Sequence, residues 1–235
     1  MIANEWKQQL EIHADPVKAK ILAGFFKTGK GQYGEGDILI GITVPQNRMV
    51  AKKFFHLPLC NYNALLHSKI HEFRLSPLIA LVLRYKKFKD EDTRQEIVTY
   101  YLDNTQYINN WDLVDLSCTY ILGDFLLSRP HDILFELSNS TNMWEQRIAI
   151  VTTLAFVRNR NFTTALTLAE KYLTHTHDLI HKATGWVLRE IGKKDIDVLR
   201  HFLNTHAHHM PRTTLRYAIE KMSQDERKHY MELGK

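Results

Sequence analysis

The stretch Ala183 to Lys194 (ATGWVLREIGKK) decides the fold, because related segments recur along the chain at a nearly constant interval. Segments with the same order of apolar and then basic residues begin at Ala80, Ala149 and Ala218. Ala149 and Ala183 lie 34 residues apart, and Ala183 and Ala218 lie 35 apart. A helix pair that repeats at this period is the signature of an α-solenoid.

The amino-acid composition also favours a helical architecture. Glycine (10) and proline (6) are scarce, which favours helix over sheet along most of the chain. Helix starts are predicted at Asp15-Pro16, Ser76-Pro77, Asp90 and Asp195. We therefore predict an all-α fold, a HEAT-like α-solenoid of stacked antiparallel helix pairs with a concave face, formed by one domain over residues 1–235.

One segment departs from the helical pattern. Residues 28–41 (TGKGQYGEGDILIG) are rich in glycine and end in a short apolar run. This composition predicts a loop or a short β-hairpin inserted near residues 28–41. The segment lacks the GxxxxGK[ST] pattern, which argues against a nucleotide-binding P-loop.

Charge and cysteine content narrow the class of protein. The net charge of +5 and the pI near 9.1 are compatible with a nucleic-acid partner. Cys60 and Cys118 are far apart and form no CxxC motif, so neither a disulfide framework nor a thiolate zinc site is expected. The N-terminus has no apolar signal core and no apolar run is long enough for a membrane span. We expect a soluble cytoplasmic protein, in the nucleoid region of a bacterial cell, with no membrane contact.

Trp111 and Asp115 form the most informative pair of side chains. In a helix they lie four residues apart and therefore share one face. An indole face attracts positive charge, and a carboxylate stabilises a sugar-like cation or aligns an attacking water. The alternative is that Trp111 belongs to the core and Asp115 is a solvated or capping residue.

Basic residues recur at the ends of the repeats. If successive repeats stack, these cations form a stripe at the spacing of DNA phosphates, which predicts that the concave face of the solenoid binds DNA. The alternative is that each cation only complements the dipole at a helix C-terminus. The residues are Lys86, Lys87, Arg158, Arg160, Lys193 and Lys194, and Arg48 and Lys52 lie on one side of an earlier helix that begins at Val44-Pro45.

Two further segments place a tryptophan three residues before an arginine. These pairs are Trp144 with Arg147 and Trp186 with Arg189. An arginine beside an indole can bind phosphate while the ring packs on a deoxyribose or a base. We assign Trp144 to packing and retain Trp186, with Trp111, as a candidate site residue.

The segments NNWDLVD (109–115), MWEQRIAI (143–150) and GWVLREIGKKD (185–195) resemble the AlkD-like HEAT-repeat DNA glycosylases. That family removes N3- and N7-alkylated purines from duplex DNA. The similarity extends from VPQNR at Val44 to the last helices, with matching order and spacing. It implies that Asp115 is the catalytic aspartate, that Trp111 and Trp186 contact the deoxyribose of the lesion, and that Arg147 anchors the DNA backbone.

The resemblance leaves two functional classes open. The first is a glycosylase for alkylated purines that acts without a metal or cofactor, as a monomer, on double-stranded DNA. The second is a weakly active or non-catalytic protein that binds branched DNA, similar to the AlkF and AlkG branch, which carries a β-hairpin at the position of residues 29–41. A third class, a scaffold for acidic protein partners, has no use for Trp111, Asp115 and Trp186.

Overall fold

A computed structural model describes residues 2–233, which are helical over most of their length. Between the α-helices lie short 3₁₀ turns and one π-helical turn at Thr119–Gly123. No β-strand forms within residues 2–233, where the β pairing consists of an isolated bridge between Ile38 and Ile70. The predicted all-α class is confirmed. The α-helices are α1 (Ile2–Glu11), α2 (Pro16–Phe25), α3 (Val44–Phe54), α4 (Asn63–Leu66), α5 (His71–Lys87), α6 (Glu91–Asp103), α7 (Trp111–Ser117), α8 (Asp132–Asn139), α9 (Met143–Thr152), α10 (Leu154–Arg158), α11 (Thr163–Lys171), α12 (Asp178–Lys194), α13 (Ile196–His206), α14 (Arg212–Ala218) and α15 (Gln224–Leu233).

The chain divides into two compact units, Met1–Ser117 and Cys118–Lys235. They are called the N-terminal and the C-terminal unit below. The single domain predicted from the sequence stays a prediction. Within residues 2–233, no helix has both the length and the apolar character that a membrane crossing requires.

Helix α5 forms the centre of the N-terminal unit. Every side chain from His71 to Val82 is buried, and α3, α4, α6 and α7 all pack against this helix. Trp6 of α1 is fully buried and stacks on Phe54 with ring centroids 5.1 Å apart. Its Nε1–H donates to Oγ of Ser76 in α5, 2.9 Å away, so both of these buried polar groups have a hydrogen-bond partner.

The predicted helix start at Ser76-Pro77 is wrong, because both residues lie inside α5. Proline in a helix interior removes one backbone hydrogen bond and disfavours the helix by about 3 kcal/mol. Burial of the flanking side chains, with Leu75, Leu78 and Ile79 each at most 3 % exposed, offsets that cost. Tertiary packing therefore overrides the local signal here.

The segment after α2 is a loop without a hairpin in the described residues. Turns occupy residues 29–36, and Ile38 then pairs with the backbone just before α5. The carboxylate of Glu72 accepts the N–H groups of Ile40 and Gly41 at distances of 2.8–3.1 Å. Because a buried carboxylate and the start of α5 satisfy these groups, no second strand is needed. The β-hairpin alternative is thus wrong, and the loop alternative is confirmed.

Gly41 is required for this loop. Its φ of +88° lies in the left-handed region, and a Cβ atom there would overlap the backbone carbonyl of Asp15. The N–H of Asp15 donates to the carbonyl of Ile40, 2.8 Å away, and the Asp15 carboxylate caps α2. The end of the loop is therefore fixed against the start of α2.

The C-terminal unit contains three of the four related segments, those that begin at Ala149, Ala183 and Ala218. Helix α12 packs against α9 and α14 and also contacts α11 and α13, while α8 packs against α9. Ala149, Ala183 and Ala218 are all buried at equivalent positions of α9, α12 and α14, as expected for a repeat. A Cβ atom on Gly185 would overlap the backbone of Thr214, which shows how closely α12 and α14 approach.

Candidate active site

Helix α7 sets the spacing of the candidate catalytic pair. The side chain of Asn110 accepts the N–H of Trp111 at 2.8 Å, and the Asn110 carbonyl accepts the N–H of Val114 at 3.2 Å, so the helix begins here. One turn separates Trp111 from Asp115, and both side chains border the same pocket. The predicted shared face of this pair is therefore present in the N-terminal unit.

The pocket has a volume of about 450 Å³ and a mainly apolar wall. Its polar edge carries the carboxylates of Asp115 and Asp112, and each of these residues is partly exposed. A carboxylate on an apolar wall has little competing water, which strengthens its attraction for a developing cation. The other lining residues are Leu22, Phe25, Phe26, Leu39, Ile42, Val44, His71, Glu72, Leu75, Trp111 and Leu116.

The indole of Trp111 is held by aromatic neighbours. Phe26 stacks on it with centroids 5.5 Å apart, and Phe25 meets it edge-on at 5.6 Å. Its Nε1–H donates to the hydroxyl of Tyr33, 3.3 Å away. Aromatic contacts of this kind each contribute about 1 kcal/mol beyond burial, so the indole has one preferred orientation at the pocket.

A mostly buried ionic network adjoins the pocket, and His71 and Asp112 belong to both. His71 Nε2 is 2.9 Å from Oδ2 of Asp112, and His71 Nδ1 is 3.2 Å from Oδ2 of Asp37. Arg74 Nη2 lies 2.7 Å from the other carboxylate oxygen of Asp37. Two cations and two carboxylates thus balance within the core, which offsets the cost of burying each charge.

The pKa values in this network follow from its geometry. Burial by itself lowers the pKa of His71, but the hydrogen bonds to Asp112 and Asp37 outweigh it and raise the pKa to about 9. Burial raises the pKa of Asp37, yet the hydrogen bond from His71 and the charge of Arg74 leave it below its usual value. At neutral pH His71 is therefore an imidazolium that donates from both ring nitrogens.

The second candidate tryptophan lies in the C-terminal unit. Trp186 of α12 is partly exposed and borders a smaller pocket of about 230 Å³, together with Arg158, Lys194 and Glu190. The guanidinium of Arg158 lies 5.7 Å from the ring centroid of Tyr120. An indole beside two cations is the combination predicted for contact with a nucleic-acid backbone. Trp144, which was assigned to packing, is 8 % exposed.

The two arginines of the Trp-x-x-Arg pairs are not free surface cations. Arg147 is buried, and its Nη1–H donates to the carbonyl of Leu179 at 2.6 Å, which joins α9 to the start of α12. Arg189 is partly buried and pairs with Glu220 and Glu190. Their predicted roles at DNA phosphates stay predictions, because each guanidinium already has a partner within the C-terminal unit.

The remaining predicted cations lie at the surface of their units. Several of them end helices, so the dipole alternative applies to the same residues. Arg160 donates to the carbonyl of Lys194, and Lys193 pairs with Glu190 at 2.7 Å. The exposed residues are Arg48, Lys52, Lys86, Lys87, Arg158, Arg160, Lys193 and Lys194.

Sequence reasoning missed the residues that support the pair on α7. Phe25, Phe26 and His71 belong to no motif in the sequence. Asp112 was one more acidic residue in a first helical turn, where acids are common. The signal that links them is their contact in space, which spans from Phe26 to Asp112 along the chain.

Comparison with known proteins identifies the family of this chain. The sequence profile of a family described as DNA alkylation repair enzymes matches residues 6–222. No curated protein sequence matches the chain significantly. A solved structure named as a predicted DNA alkylation repair enzyme from Enterococcus faecalis has a similar fold, with a TM-score of 0.71 and 16 % sequence identity over 90 % of this chain and 98 % of that chain. Because the family profile covers nearly the whole chain, this protein belongs to the DNA alkylation repair enzyme family.

Proposed function

We propose that this protein is a DNA glycosylase that hydrolyses the N-glycosidic bond of N3- or N7-alkylated purines in duplex DNA. The observation that carries the proposal is the position of Trp111 and Asp115 on one pocket, one helical turn apart. Family membership supports a role in the repair of alkylated DNA. The resemblance to AlkD-like glycosylases adds the reaction type and assigns the aspartate role to Asp115.

Hydrolysis of this N-glycosidic bond requires mainly electrostatic stabilisation of the developing sugar cation by the protein. An N3- or N7-alkylated purine is cationic, so it leaves with the electron pair of the glycosidic bond as a neutral base. The sugar becomes an oxocarbenium-like cation, which the carboxylate of Asp115 stabilises and the indole face of Trp111 attracts. Water then adds to C1′ and loses one proton, which yields an abasic site. No general acid or metal is required to activate such a leaving group.

The apolar wall and the aromatic contacts support the same role. Phe26 and Phe25 hold the indole, so Trp111 needs little reorganisation when a sugar approaches. The pocket wall excludes water from one side of Asp115, which strengthens the attraction between its carboxylate and a sugar cation. The cations at helix ends, such as Lys87 and Arg158, are proposed contacts for the phosphates of the duplex.

The second function kept open by the sequence is structure-selective binding of branched DNA without base excision. Its support is the hairpin alternative for residues 29–41, and this segment contains no strand. The glycosylase is therefore the better supported of the two. The proposal also includes Trp186 as a second indole that contacts the deoxyribose, and a monomeric protein.

One experiment separates these functions. Duplex DNA that contains 7-methylguanine is incubated with the protein, and the free base is measured. We expect release by the wild type and a loss of roughly two orders of magnitude or more in Asp115→Asn, because the variant keeps the shape of the side chain and removes its charge. DNA affinity, measured in parallel, should stay the same or rise, since a carboxylate near phosphates repels them.

The matched control is Asp103→Asn, which removes an exposed carboxylate at the end of α6 in the same unit. Its excision rate should equal that of the wild type. If the wild type binds a branched duplex tightly and releases no alkylated base, the glycosylase proposal fails and the binding function replaces it. Equal excision by Asp115→Asn and the wild type would remove Asp115 from the site.

A further inference from the structure

The imidazole of His71 joins three segments of the N-terminal unit that are distant in sequence. Its Nδ1 contacts Asp37 in the loop before α3, and its Nε2 contacts Asp112 in the first turn of α7. Its ring also packs against Phe26 at the end of α2, with centroids 4.5 Å apart. His71 is itself the first residue of α5 and is 1 % exposed.

Each of these contacts leads to the candidate catalytic pair. Asp112 stands next to Trp111 and three residues before Asp115, so a bond to its carboxylate holds the first turn of α7. Phe26 touches His71 on one side and stacks on Trp111. Asp37 is further fixed by Arg74 and by Nδ2 of Asn110, the residue that precedes α7. The network therefore reaches Trp111 through its backbone and through its ring.

The hydrogen-bond pattern requires the charged form of His71. A neutral imidazole has one N–H, and it leaves its other nitrogen as an acceptor facing a carboxylate oxygen, which also only accepts. The imidazolium donates at both nitrogens, and Arg74 balances the second carboxylate. Loss of one proton would leave an unmatched negative charge on Asp112 or Asp37, whose side chains are 12 % and 6 % exposed, and such a charge is costly where little water reaches it.

We propose that protonated His71 is a positioning residue that holds Trp111 and Asp115 in register at the pocket, and that loss of its proton releases the first turn of α7. The proposal rests on the proposed function only for its consequence in catalysis. Its structural content concerns α7, the loop around Asp37 and the end of α2. His71 acts on the pair through its contacts with Asp112 and Phe26.

The test uses fluorine NMR of the full-length protein labelled with 5-fluorotryptophan, titrated from pH 7 to pH 10. The four tryptophan signals are assigned with single Trp→Phe variants. We expect the Trp111 signal to shift with a midpoint near the pKa of His71, about 9. The signal of Trp6, which is fully buried and bonded to Ser76, should not move at that midpoint.

Two variants distinguish His71 from other titrating groups. The other ionisable groups that face His71 and Trp111 are Asp37, Asp112, Arg74, Glu72 and Tyr33, and the hydroxyl of Tyr33 accepts the indole N–H of Trp111. We expect the shift of the Trp111 signal to follow His71 and not this phenol. Tyr33→Phe should therefore keep the Trp111 shift. Asp112→Asn removes one of the two carboxylates that stabilise the imidazolium, and it should lower the midpoint by about one pH unit or more.

A flat Trp111 signal between pH 7 and pH 10 would overturn the proposal. So would a shift that disappears in Tyr33→Phe, or a midpoint that stays the same in Asp112→Asn. None of these readings needs DNA or base excision. If the wild type releases no alkylated base, the glycosylase function fails while the fluorine titration still decides the role of His71.

When excision is observed, its rate supplies an independent reading. The rate in the wild type should fall above about pH 9 with the midpoint seen for Trp111. In Asp112→Asn the decline should begin at lower pH, together with the change in the fluorine signal. A rate that stays constant through both midpoints would show that the register of α7 does not limit catalysis and would overturn the catalytic part of the proposal.

Discussion

The ring of Phe26 stacks on the indole of Trp111, with centroids 5.5 Å apart and an angle of 29° between the planes. Phe26 is the residue that follows α2, and Trp111 is the first residue of α7. Phe25 touches the same indole from its edge but is 57 % exposed, whereas Phe26 is 8 % exposed. Two adjacent phenylalanines therefore contact one tryptophan with very different burial.

This difference predicts unequal effects of truncation. Phe26→Ala should lower the free energy of unfolding by about 3 kcal/mol, because it opens a cavity between His71 and Trp111. Phe25→Ala is the matched control and should cost no more than about 1 kcal/mol, since its ring is mostly in water already. Urea denaturation of both variants measures the two losses. Equal losses would mean that Phe26 does not support the indole.

Stability should depend on pH through His71. Its pKa is raised from 6.5 to about 9 in the folded protein. A raised pKa stabilises the fold fully below pH 6.5, and that contribution is lost as pH rises from 6.5 through 9. The loss should amount to roughly 3 kcal/mol at most, from a shift between two and three pH units.

The histidines and tyrosines named below, whose pKa values are also shifted, affect stability outside the range from pH 6.5 to 9. The pKa values of His175, His177 and His206 are lowered, chiefly by burial, so they act on stability at or below pH 6.5. Burial raises the pKa values of Tyr62, Tyr100 and Tyr172, and these groups act only above about pH 10. Urea midpoints between pH 6.5 and 9 should decline in the wild type and much less in His71→Gln. A parallel decline in both proteins would contradict the assignment.

The two tryptophans of the C-terminal unit should respond differently to truncation. Trp144→Ala removes a buried indole and should cost about 3 kcal/mol or more of stability. Trp186→Ala should cost clearly less, because its indole is partly exposed at a pocket with Arg158 and Lys194. It should instead weaken DNA binding by about tenfold, the effect of losing one stacking or sugar contact. Thermal melts and DNA titrations on both variants check this, and unchanged affinity in Trp186→Ala would make that indole a structural residue.

The exposed cations predict a salt-dependent, sequence-independent affinity for DNA. The variants Lys87→Glu, Arg158→Glu and Lys193→Glu should each weaken binding to all duplexes alike, and each should reduce the slope of log affinity against log salt by about one. Lys228→Glu, on α15 outside this set, is the matched control for a change of net charge. Titrations at several salt concentrations measure the slopes. If Lys228→Glu weakens binding as much as the others, net charge and not a phosphate-contacting stripe is responsible.

Local sequence determined the helical class, the caps and the spacing of the candidate pair. Asp15, Asp90 and Asp195 all cap helices as predicted, since a cap depends only on the next three residues. Trp111 and Asp115 share a pocket because four residues make one helical turn. The repeat of Ala149 and Ala183 also lay in the sequence, because a solenoid reuses one packing position at a fixed interval.

Only the tertiary structure decided where packing overrides local sequence signals and which residues support Trp111 and Asp115. Pro77 continues α5 because neighbouring helices bury that turn. The N–H groups of Ile40, Gly41 and Ile42 need no partner strand because the carboxylate of Glu72 accepts them. The contacts of His71 with Asp37 and Asp112 span 34 and 41 residues. Helical periodicity relates residues within a turn or two, whereas ion pairs in a core depend on which helices meet. For that reason the sequence predicted the spacing of Trp111 and Asp115, and folding alone placed an imidazolium behind them.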